Sequence, residues 1–431
     1  MLWYTICRMS DGRTNDATGG TRGASSVWRA PGMPALLGST ALGFAGFALL
    51  MPVAPLWVLD GGADELGAGV VNGVLMLSTV LAQLLVGRVL ARLGWRWTLT
   101  LGACLLGAPA PVHLLTDDVR AVTALAAVRG LGFGIITVCG AMGVAALVEP
   151  ARRGRAVGAY GLAVAVPQFL LVPVAPWFAE AIGFWLVFTL SVVPLLAIPL
   201  APPVARALRT ADRPSPATAR RAERRDAAGL RRALTGPIAA LLAITSAGGA
   251  VLTFTPGLDP DPTTVYVALL VFTGTAALCR WGFGGYADRR GAAPAIAPLL
   301  FVGAAGLAAI GVGTASGHGA AGRVLLVVGM LAVGVAYGGL QNLTLVQAFA
   351  AAGEQARSAV GTAWNVGFDA GTGLGALAAG AVATSASYTA SYAVLAVVTA
   401  LVGAGWAGSR WRAKRCARSL PADGPRESSS R

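Results

Sequence analysis

The sequence predicts an all-α integral membrane protein with twelve transmembrane helices in two pseudo-symmetric six-helix bundles. Three observations lead to this prediction. The composition is strongly apolar, the apolar residues lie in blocks long enough to cross a bilayer, and the second half of the chain repeats features of the first. Of the 431 residues, 55% are hydrophobic and only 12% are charged, about half the charged fraction of a soluble domain.

The apolar blocks define twelve predicted spans, numbered here in chain order. A helix needs about 20 apolar residues to cross about 30 Å of hydrocarbon. Helices are expected because an open sheet edge would leave backbone groups unpaired in lipid. Spans 1 to 12 lie approximately at residues 35–59, 68–90, 97–116, 121–147, 156–179, 182–203, 236–258, 264–283, 294–315, 324–349, 358–383 and 389–408.

One glycine spacing occurs twice. Gly87 and Gly94 follow span 2, and Gly284 and Gly291 follow span 8, 197 residues later. In both copies the glycines are seven residues apart, and each copy is predicted to form a short, arginine-rich turn. A second repeated feature is the triplet Ala-Val-Gly, which lies at the start of span 5 at 156–158 and at the start of span 11 at 359–361. Such duplication is typical of transporter folds.

The charged residues alternate between the two sets of turns. The turns after even-numbered spans hold Arg88, Arg92, Arg96, Arg152, Arg153, Arg155, Arg289, Arg290 and Arg357. The other turns hold Asp60, Asp64, Glu65, Asp117, Asp118, Glu180, Asp259 and Asp261, with Arg120 and Arg323. The positive-inside rule therefore predicts a plasma-membrane protein with both termini in the cytoplasm, and it explains the net charge of +14 without a nucleic-acid partner.

The same pattern divides the chain into five segments. Residues 1–33 are predicted to be a disordered cytoplasmic tail, and 34–204 to be the first six-helix bundle. A basic cytoplasmic linker is predicted at 205–235, because this is the longest internal polar stretch and is too short and polar to bury a core. Residues 236–408 form the second predicted bundle, and 409–431 a basic cytoplasmic tail.

These residues resemble a known family, the major facilitator superfamily. The stretch Gly284–Gly291 is similar to that family's signature loop, in which an aspartate stands four residues after the first glycine; Asp288 fits this position, whereas Ala91 occupies it in the first copy. Arg129 and the glycines after it resemble the family's span 4 motif, and residues 337–375 resemble bacterial efflux permeases. The resemblance implies that spans 1, 4, 7 and 10 line a central cavity and that spans 2, 5, 8 and 11 lie between the bundles.

Asp369 is the only acidic residue deep within a predicted span. An ionised carboxylate at the bilayer centre costs about 2.5–3.5 kcal/mol, and desolvation favours its protonated form. We therefore expect Asp369 to carry a coupling proton. The alternative is a structural carboxyl group that bonds a neighbouring helix. Asn365 lies one helical turn earlier on the same face and is a candidate cavity residue.

Arg129 is the matching cation, in span 4. A guanidinium group keeps its charge, so within the membrane it needs an anion, backbone carbonyls or water. We expect it to bind substrate or to tune the proton site, and the alternative is that it snorkels to the interface. Replacement of Arg129 by Ala is expected to impair transport with little loss of membrane expression.

Span 10 contains two amide side chains and a tyrosine. Tyr337 and Gln341 lie four residues apart on one face, and Asn342 follows. Such groups in lipid either line a cavity or bond across helices. We expect span 10 to line the cavity, and we expect a polar row in span 2 to serve packing instead. That row consists of Asn72, Thr79 and Gln83. Glycine pairs four residues apart are also predicted packing sites, at 69/73, 130/134 and 371/375.

The signature loops are candidate gating elements. Their residues are Gly87, Gly94, Gly284, Asp288, Arg289 and Gly291. A carboxylate near a helix amino terminus contributes about 0.3–1 kcal/mol. Asp288 could therefore act as a latch that favours one conformation, and Ala91 leaves the first copy without one.

The sequence suggests three candidate functions of different kinds. The first is a secondary transporter that exports a small organic molecule by proton antiport, the second an uptake symporter on the same scaffold, and the third an integral-membrane enzyme. The two histidines lie far apart, and no zinc spacing, nucleophile elbow or P-loop is present, which argues against an enzyme and an ATP-driven pump. We expect a monomer without cofactor, metal or catalytic residues, whose partners are its substrate, protons and lipid.

Overall fold

A computed structural model describes residues 30–148, 153–210, 227–352 and 357–419, and within these ranges it contains helices and no strand. The predicted tail at 1–33 lies outside the described residues except for its last four. The helices that form the spans are Met33–Asp60 (span 1), Glu65–Gly107 (spans 2 and 3), Val119–Leu147 (4), Arg153–Ala181 (5), Phe184–Leu190 and Ala201–Thr210 (6), Ala227–Phe254 (7), Pro262–Arg290 (8), Ala293–Ala315 (9), Ala320–Ala352 (10), Arg357–Ser385 (11) and Tyr388–Ser419 (12).

Spans 2 and 3 form one continuous helical segment. With the 3₁₀ turn Ala110–Leu115 it covers 51 residues, which at 1.5 Å per residue is about 76 Å, more than twice the hydrocarbon thickness. Gly94 interrupts it with φ 71° and ψ 171°, outside the helical region. The described residues contain eleven helices of membrane-spanning length, and the break at Gly94 divides the longest of them into two, so these residues supply twelve spans.

The two copies of the glycine spacing share their backbone geometry. Gly291 ends span 8 with φ 74° and ψ 161°, close to the values at Gly94. The prediction of a short turn between the two glycines of each copy was wrong, because both segments stay helical up to the second glycine. One glycine with positive φ reverses the chain, and the preceding residues keep their helical hydrogen bonds.

Span 6 is broken where a single helix was predicted. The helix Phe184–Leu190 is followed by the 3₁₀ segment Val193–Leu200 and then by Ala201–Thr210. Pro194 and Pro199 lie in the middle segment and lack the N–H groups that an α-helix needs. Helix also extends into both ends of the predicted linker 205–235, and residues 211–226 of it lie outside the described residues.

Both bundles repeat one packing scheme. In the N-terminal bundle, spans 1 to 6, span 1 packs on span 5 and span 4 packs on spans 2 and 3; in the C-terminal bundle, spans 7 to 12, span 7 packs on span 11 and span 10 on spans 8 and 9. Glycines permit these contacts in both halves. A Cβ atom at Gly134 would lie 2.5 Å from the Thr79 carbonyl oxygen, and one at Gly334 would lie 2.6 Å from that of Phe272.

Spans 2 and 11, and spans 5 and 8, form the main contacts between the bundles. The basic side of the molecule is the side that carries Arg88, Arg92, Arg289 and Arg290, and the acidic side carries Asp60, Asp64, Asp118 and Asp261. On the acidic side spans 2 and 11 touch along their backbones, since a Cβ atom at Gly69 would lie 2.5 Å from the Ala376 carbonyl oxygen. On the basic side, an added Cβ atom at Gly87 or at Gly361 would have no described residue within 4 Å. The bundles are therefore closed on the acidic side and separated on the basic side.

Candidate functional site

Asp369 faces the opposite bundle. It lies in span 11, is 7% exposed, and its Oδ2 accepts a hydrogen bond of 2.6 Å from Nε2 of Gln83 in span 2. The oxygen atom of that amide, Gln83 Oε1, is buried and has no hydrogen-bond partner among the described residues. At the contact between the two bundles, an acidic side chain thus meets an amide whose nitrogen is hydrogen-bonded and whose oxygen is not.

The other polar residues of span 2 serve packing, as expected. Asn72 donates to the Met51 carbonyl and to the Thr253 hydroxyl, both at 2.9 Å. Thr79 donates to carbonyl oxygens within span 2 and, at Gly130, in span 4. Gln83 differs from both because its partner is a titratable group.

Asn365 lies on the basic side of Asp369, where spans 2 and 11 separate. It lies one turn nearer the basic side on the same face of span 11, yet it is exposed and makes no hydrogen bond with its side chain within the described ranges. Asp369 therefore lies at the boundary between the closed and the open part of the interface.

Four aromatic rings form a row beside Asp369. Trp364 and Phe368 stack with ring centroids 5.5 Å apart, Phe368 lies 6.2 Å from Tyr337, and Tyr337 lies 5.3 Å from Phe272. The row joins spans 11, 10 and 8. Phe272, Tyr337 and Trp364 are buried, whereas Phe368, which precedes Asp369 in the chain, is half-buried.

Span 10 contacts span 8 through its amides. Gln341 Oε1 accepts a hydrogen bond of 3.0 Å from Arg280 Nη1, and Asn342 Nδ2 donates to the Arg280 carbonyl oxygen at 3.0 Å. Asn342 Oδ1 is buried without a partner in the described part of the chain. Arg280 was missed by the sequence analysis, although it is the only charged residue within the predicted block 264–283.

Arg280 lies at the interface between the bundles. Its guanidinium group lies near the phenol groups of Tyr337 and of Tyr160, which belongs to span 5 of the other bundle. Asp369 also lies near Tyr337. Counted along their helices, Arg280, Gln341 and Asp369 all lie about 15 to 18 Å from the basic-side helix ends. These groups form one polar layer.

Arg129 lies apart from this layer, inside the N-terminal bundle. It is 1% exposed, and it donates to the carbonyl oxygens of Gly46 (3.1 Å) and Leu106 (3.3 Å) in spans 1 and 3. Its Nη1 and the Nε2 of the neighbouring His113 are buried without partners in the described ranges. The structure therefore does not bring Arg129 to Asp369, and backbone carbonyls hold its charge.

The signature residues occupy the basic-side ends of spans 2 and 8. A Cβ atom at Gly284 would lie 3.3 Å from Asn342 Nδ2, so this glycine lets span 8 approach span 10. Arg289 Nε donates to the Gly285 carbonyl oxygen. Asp288 is exposed in the last turn of span 8 and makes no ion pair with a described residue, so its role as a latch stays a prediction.

An ion-pair group lies on the acidic side. Arg323 donates to both carboxylate oxygens of Asp259 at 3.1 Å, and its Nη1 lies 3.4 Å from Asp261 Oδ2. Asp261 caps span 8. The Thr264 hydroxyl, the Thr263 N–H and Arg323 hold its pKa below the ordinary value. This group fastens the loop before span 8 to span 10.

Comparison with known proteins identifies the family. The family profile described as Major Facilitator Superfamily matches residues 36–368. A search of the curated proteins gives no match.

Solved structures share the fold. A peptide transporter POT in complex with sulfate has a TM-score of 0.71 at 16% identity, with 89% of this chain and 95% of that chain covered. The nucleoside transporter NupG gives 0.64 at 14%, covering 88% and 98%. A bacterial homologue of the human lysosomal transporter Spinster, inward-facing and unoccupied, gives 0.67 at 13%, covering 93% and 100%. At these identities the similarity concerns the fold alone.

Proposed function

Because the chain belongs to the Major Facilitator Superfamily and is a multi-pass membrane transporter of that fold, we propose that it exports a small organic molecule across the plasma membrane in exchange for protons. Proton-coupled uptake by a symporter is the alternative that uses the same site. In both cases the two bundles rock about the polar layer and expose it to one side of the membrane at a time.

The contact between Asp369 and Gln83 carries the proposal. A protonated carboxyl group can donate one hydrogen bond and accept another. Neutral Asp369 can thus accept from Gln83 Nε2 and donate to Gln83 Oε1, which has no other partner in the described ranges. The ionised form can only accept, so it leaves the buried oxygen of Gln83 unpaired. Proton binding at Asp369 therefore strengthens a contact between the bundles.

The additional hydrogen bond of neutral Asp369 couples proton binding to the movement of the bundles. A ligand shifts a conformational equilibrium only by its difference in affinity for the two states. The second hydrogen bond exists only while spans 2 and 11 are in contact and Asp369 is neutral. Loss of the proton to the basic side weakens this contact, and the resulting change in bundle arrangement is available to drive substrate movement.

We propose that the basic side faces the cytoplasm, which follows from the positive-inside rule. The structure is open to that side, beside Asp369 and the aromatic row. An exporter loads its substrate in this conformation, while Asp369 releases its proton. In the opposite conformation the proton is taken up from outside and the substrate leaves. The transporter is proposed to work as a monomer.

A proton-binding measurement tests Asp369 without a substrate. The carboxyl stretching band of the purified protein, followed by infrared spectroscopy through the neutral pH range, is expected to show a titrating acid. The band is expected to persist in Asp369→Glu and to disappear in Asp369→Asn. Asp117→Asn, which removes an exposed acid on the acidic side, is the matched control and keeps the band. A band that survives Asp369→Asn would assign the proton to another group.

Transport in everted membrane vesicles tests the coupling. Ethidium and benzoate serve as first probes, followed by compounds from a growth-inhibition screen of an overexpressing strain. A pH gradient is expected to drive accumulation by the wild type. Asp369→Asn mimics the protonated acid, so it is expected to exchange substrate but to lose gradient-driven accumulation. Full coupled accumulation in that variant contradicts the proposal, and accumulation only in right-side-out vesicles indicates uptake.

A further inference from the structure

Arg280 is a permanent cation at the bundle interface without a carboxylate partner. Its side chain makes one hydrogen bond, to the neutral amide of Gln341, and no ion pair within residues 30–148, 153–210, 227–352 and 357–419. The guanidinium group carries five N–H donors and stays charged at any physiological pH. Most of its binding capacity is therefore unused in this conformation.

Arg129, the other arginine discussed within the spans, is held differently. Arg129 is sealed inside its bundle and donates to two backbone carbonyls. Arg280 is only half-buried, and it lies between span 8 of one bundle and Tyr160 of the other. Its free donors thus remain reachable from the open basic side. An uncompensated charge within the membrane is costly, so an anion that enters this space would be bound strongly.

The surroundings of Arg280 indicate the shape of that anion. Tyr337 lies near the guanidinium group and is the third ring in the row formed with Trp364, Phe368 and Phe272. Aromatic rings pack well against flat apolar bodies in offset or edge-to-face geometry. Phe368 is the one ring of the row that is only half-buried, so a molecule that places an oxyanion on Arg280 can place an aromatic body against Phe368.

We propose that the space beside Arg280 is a binding site for an aromatic organic anion, a carboxylate or a phosphonate-like oxyanion on a flat apolar body. The proposal rests on the proposed transport function, of which it names the substrate class. Arg280 supplies the charged donors, Gln341 holds its side chain in place, and Asn342 holds the Arg280 backbone. The half-buried ring of Phe368 contacts the aromatic body of the molecule.

Equilibrium dialysis of the purified full chain in an uncharged detergent tests this site. The radiolabelled probes are benzoate, phenylphosphonate and benzamide, the last being the neutral analogue of benzoate. The wild type is expected to bind at least one of the two acids about tenfold more tightly than benzamide, a difference of about 1.4 kcal/mol. Arg280→Gln is expected to lose this preference, whereas Arg280→Lys keeps the charge and retains part of it.

A second variant removes anion binding without removing Arg280. Gln341→Glu preserves the shape of the side chain and places a carboxylate where the amide oxygen lies, 3.0 Å from Arg280 Nη1. This internal anion is expected to abolish the preference for acids. Arg120→Gln, which removes an exposed arginine on the acidic side, is the matched control and is expected to bind as the wild type does.

The outcomes separate this site from the proton site. A preference for one acid, lost in both Arg280→Gln and Gln341→Glu, supports the proposal and identifies the oxyanion. Equal binding of acids and benzamide by the wild type overturns it, as does a preference that survives Arg280→Gln. The measurement uses no membrane and no gradient, so a failure of proton coupling leaves its result unchanged.

Discussion

Gly69 offers a direct test of the two-state movement between the bundles. In the present conformation a Cβ atom at Gly69 would lie 2.5 Å from the Ala376 carbonyl oxygen and 3.3 Å from the Leu377 Cα atom. These are backbone atoms, which cannot move aside as the end of a side chain can. Gly69→Ala is therefore expected to disfavour closure of the acidic side by about 1–3 kcal/mol, the typical cost of overpacking.

That cost predicts a measurable change of population. It corresponds to a shift of about 5- to 150-fold toward the conformation open on the acidic side, where spans 2 and 11 separate. Spin labels at Asp60→Cys and Ala386→Cys, in a background without other cysteines, report the distance between the bundles on that side. Pulsed electron resonance is expected to show a longer distance in Gly69→Ala than in the wild type.

Gly282→Ala is the matched control, because an added Cβ atom there meets nothing within 4 Å. Its distance distribution is expected to equal that of the wild type. If Gly69→Ala gives the same distribution as well, spans 2 and 11 do not separate on the acidic side, and the rocking mechanism is refuted.

Three further predictions concern charge and topology. Arg129→Ala removes the donors to two backbone carbonyls and is expected to impair vesicle transport while immunoblots show little loss of membrane expression; unimpaired transport would remove Arg129 from the mechanism. Since the folded-state pKa of Asp261 is lowered, its contribution to stability is complete above about pH 4 and is lost as pH falls through the lowered value. Melting temperatures of the detergent-solubilised wild type are thus expected to fall more steeply on acidification than those of Asp261→Asn, and parallel curves would contradict this. Finally, a cysteine at Leu115 is expected to react with an impermeant maleimide on intact cells, and one at Arg92 only after permeabilisation; the reverse result would invert the topology.

Much of the fold was predictable because the bilayer restricts it. Twelve apolar blocks and two copies of one glycine spacing were enough to predict two related bundles, and the structure confirms both features. The shape of the turns was not predictable from spacing. Gly94 and Gly291 each end a helix alone, whereas the segment before each had been assigned to the turn.

The site was predictable in part. Asp369 stood out because a carboxylate within a span is costly, but its partner Gln83 belongs to the other bundle. The register of spans 2 and 11 depends on packing between separate parts of the chain, which one sequence does not contain. Arg280 was missed because it lies near the end of its apolar block, where an arginine side chain reaches the headgroups. In the structure the helix of span 8 extends to Arg290, so Arg280 lies well inside the helix and not near its end.

The backbone at Gly94 and Gly291 has a consequence for inherited variation. Both positions are surrounded by open space, so an inspection of contacts alone would rank them among the most tolerant sites in the chain. Yet every codon change that replaces glycine introduces a side chain into a conformation with positive φ and extended ψ that is essentially restricted to glycine, at about 1–3 kcal/mol. Gly94 and Gly291 are therefore expected to tolerate substitution poorly although no described side chain packs against them. Random mutagenesis is expected to recover few substitutions at either position.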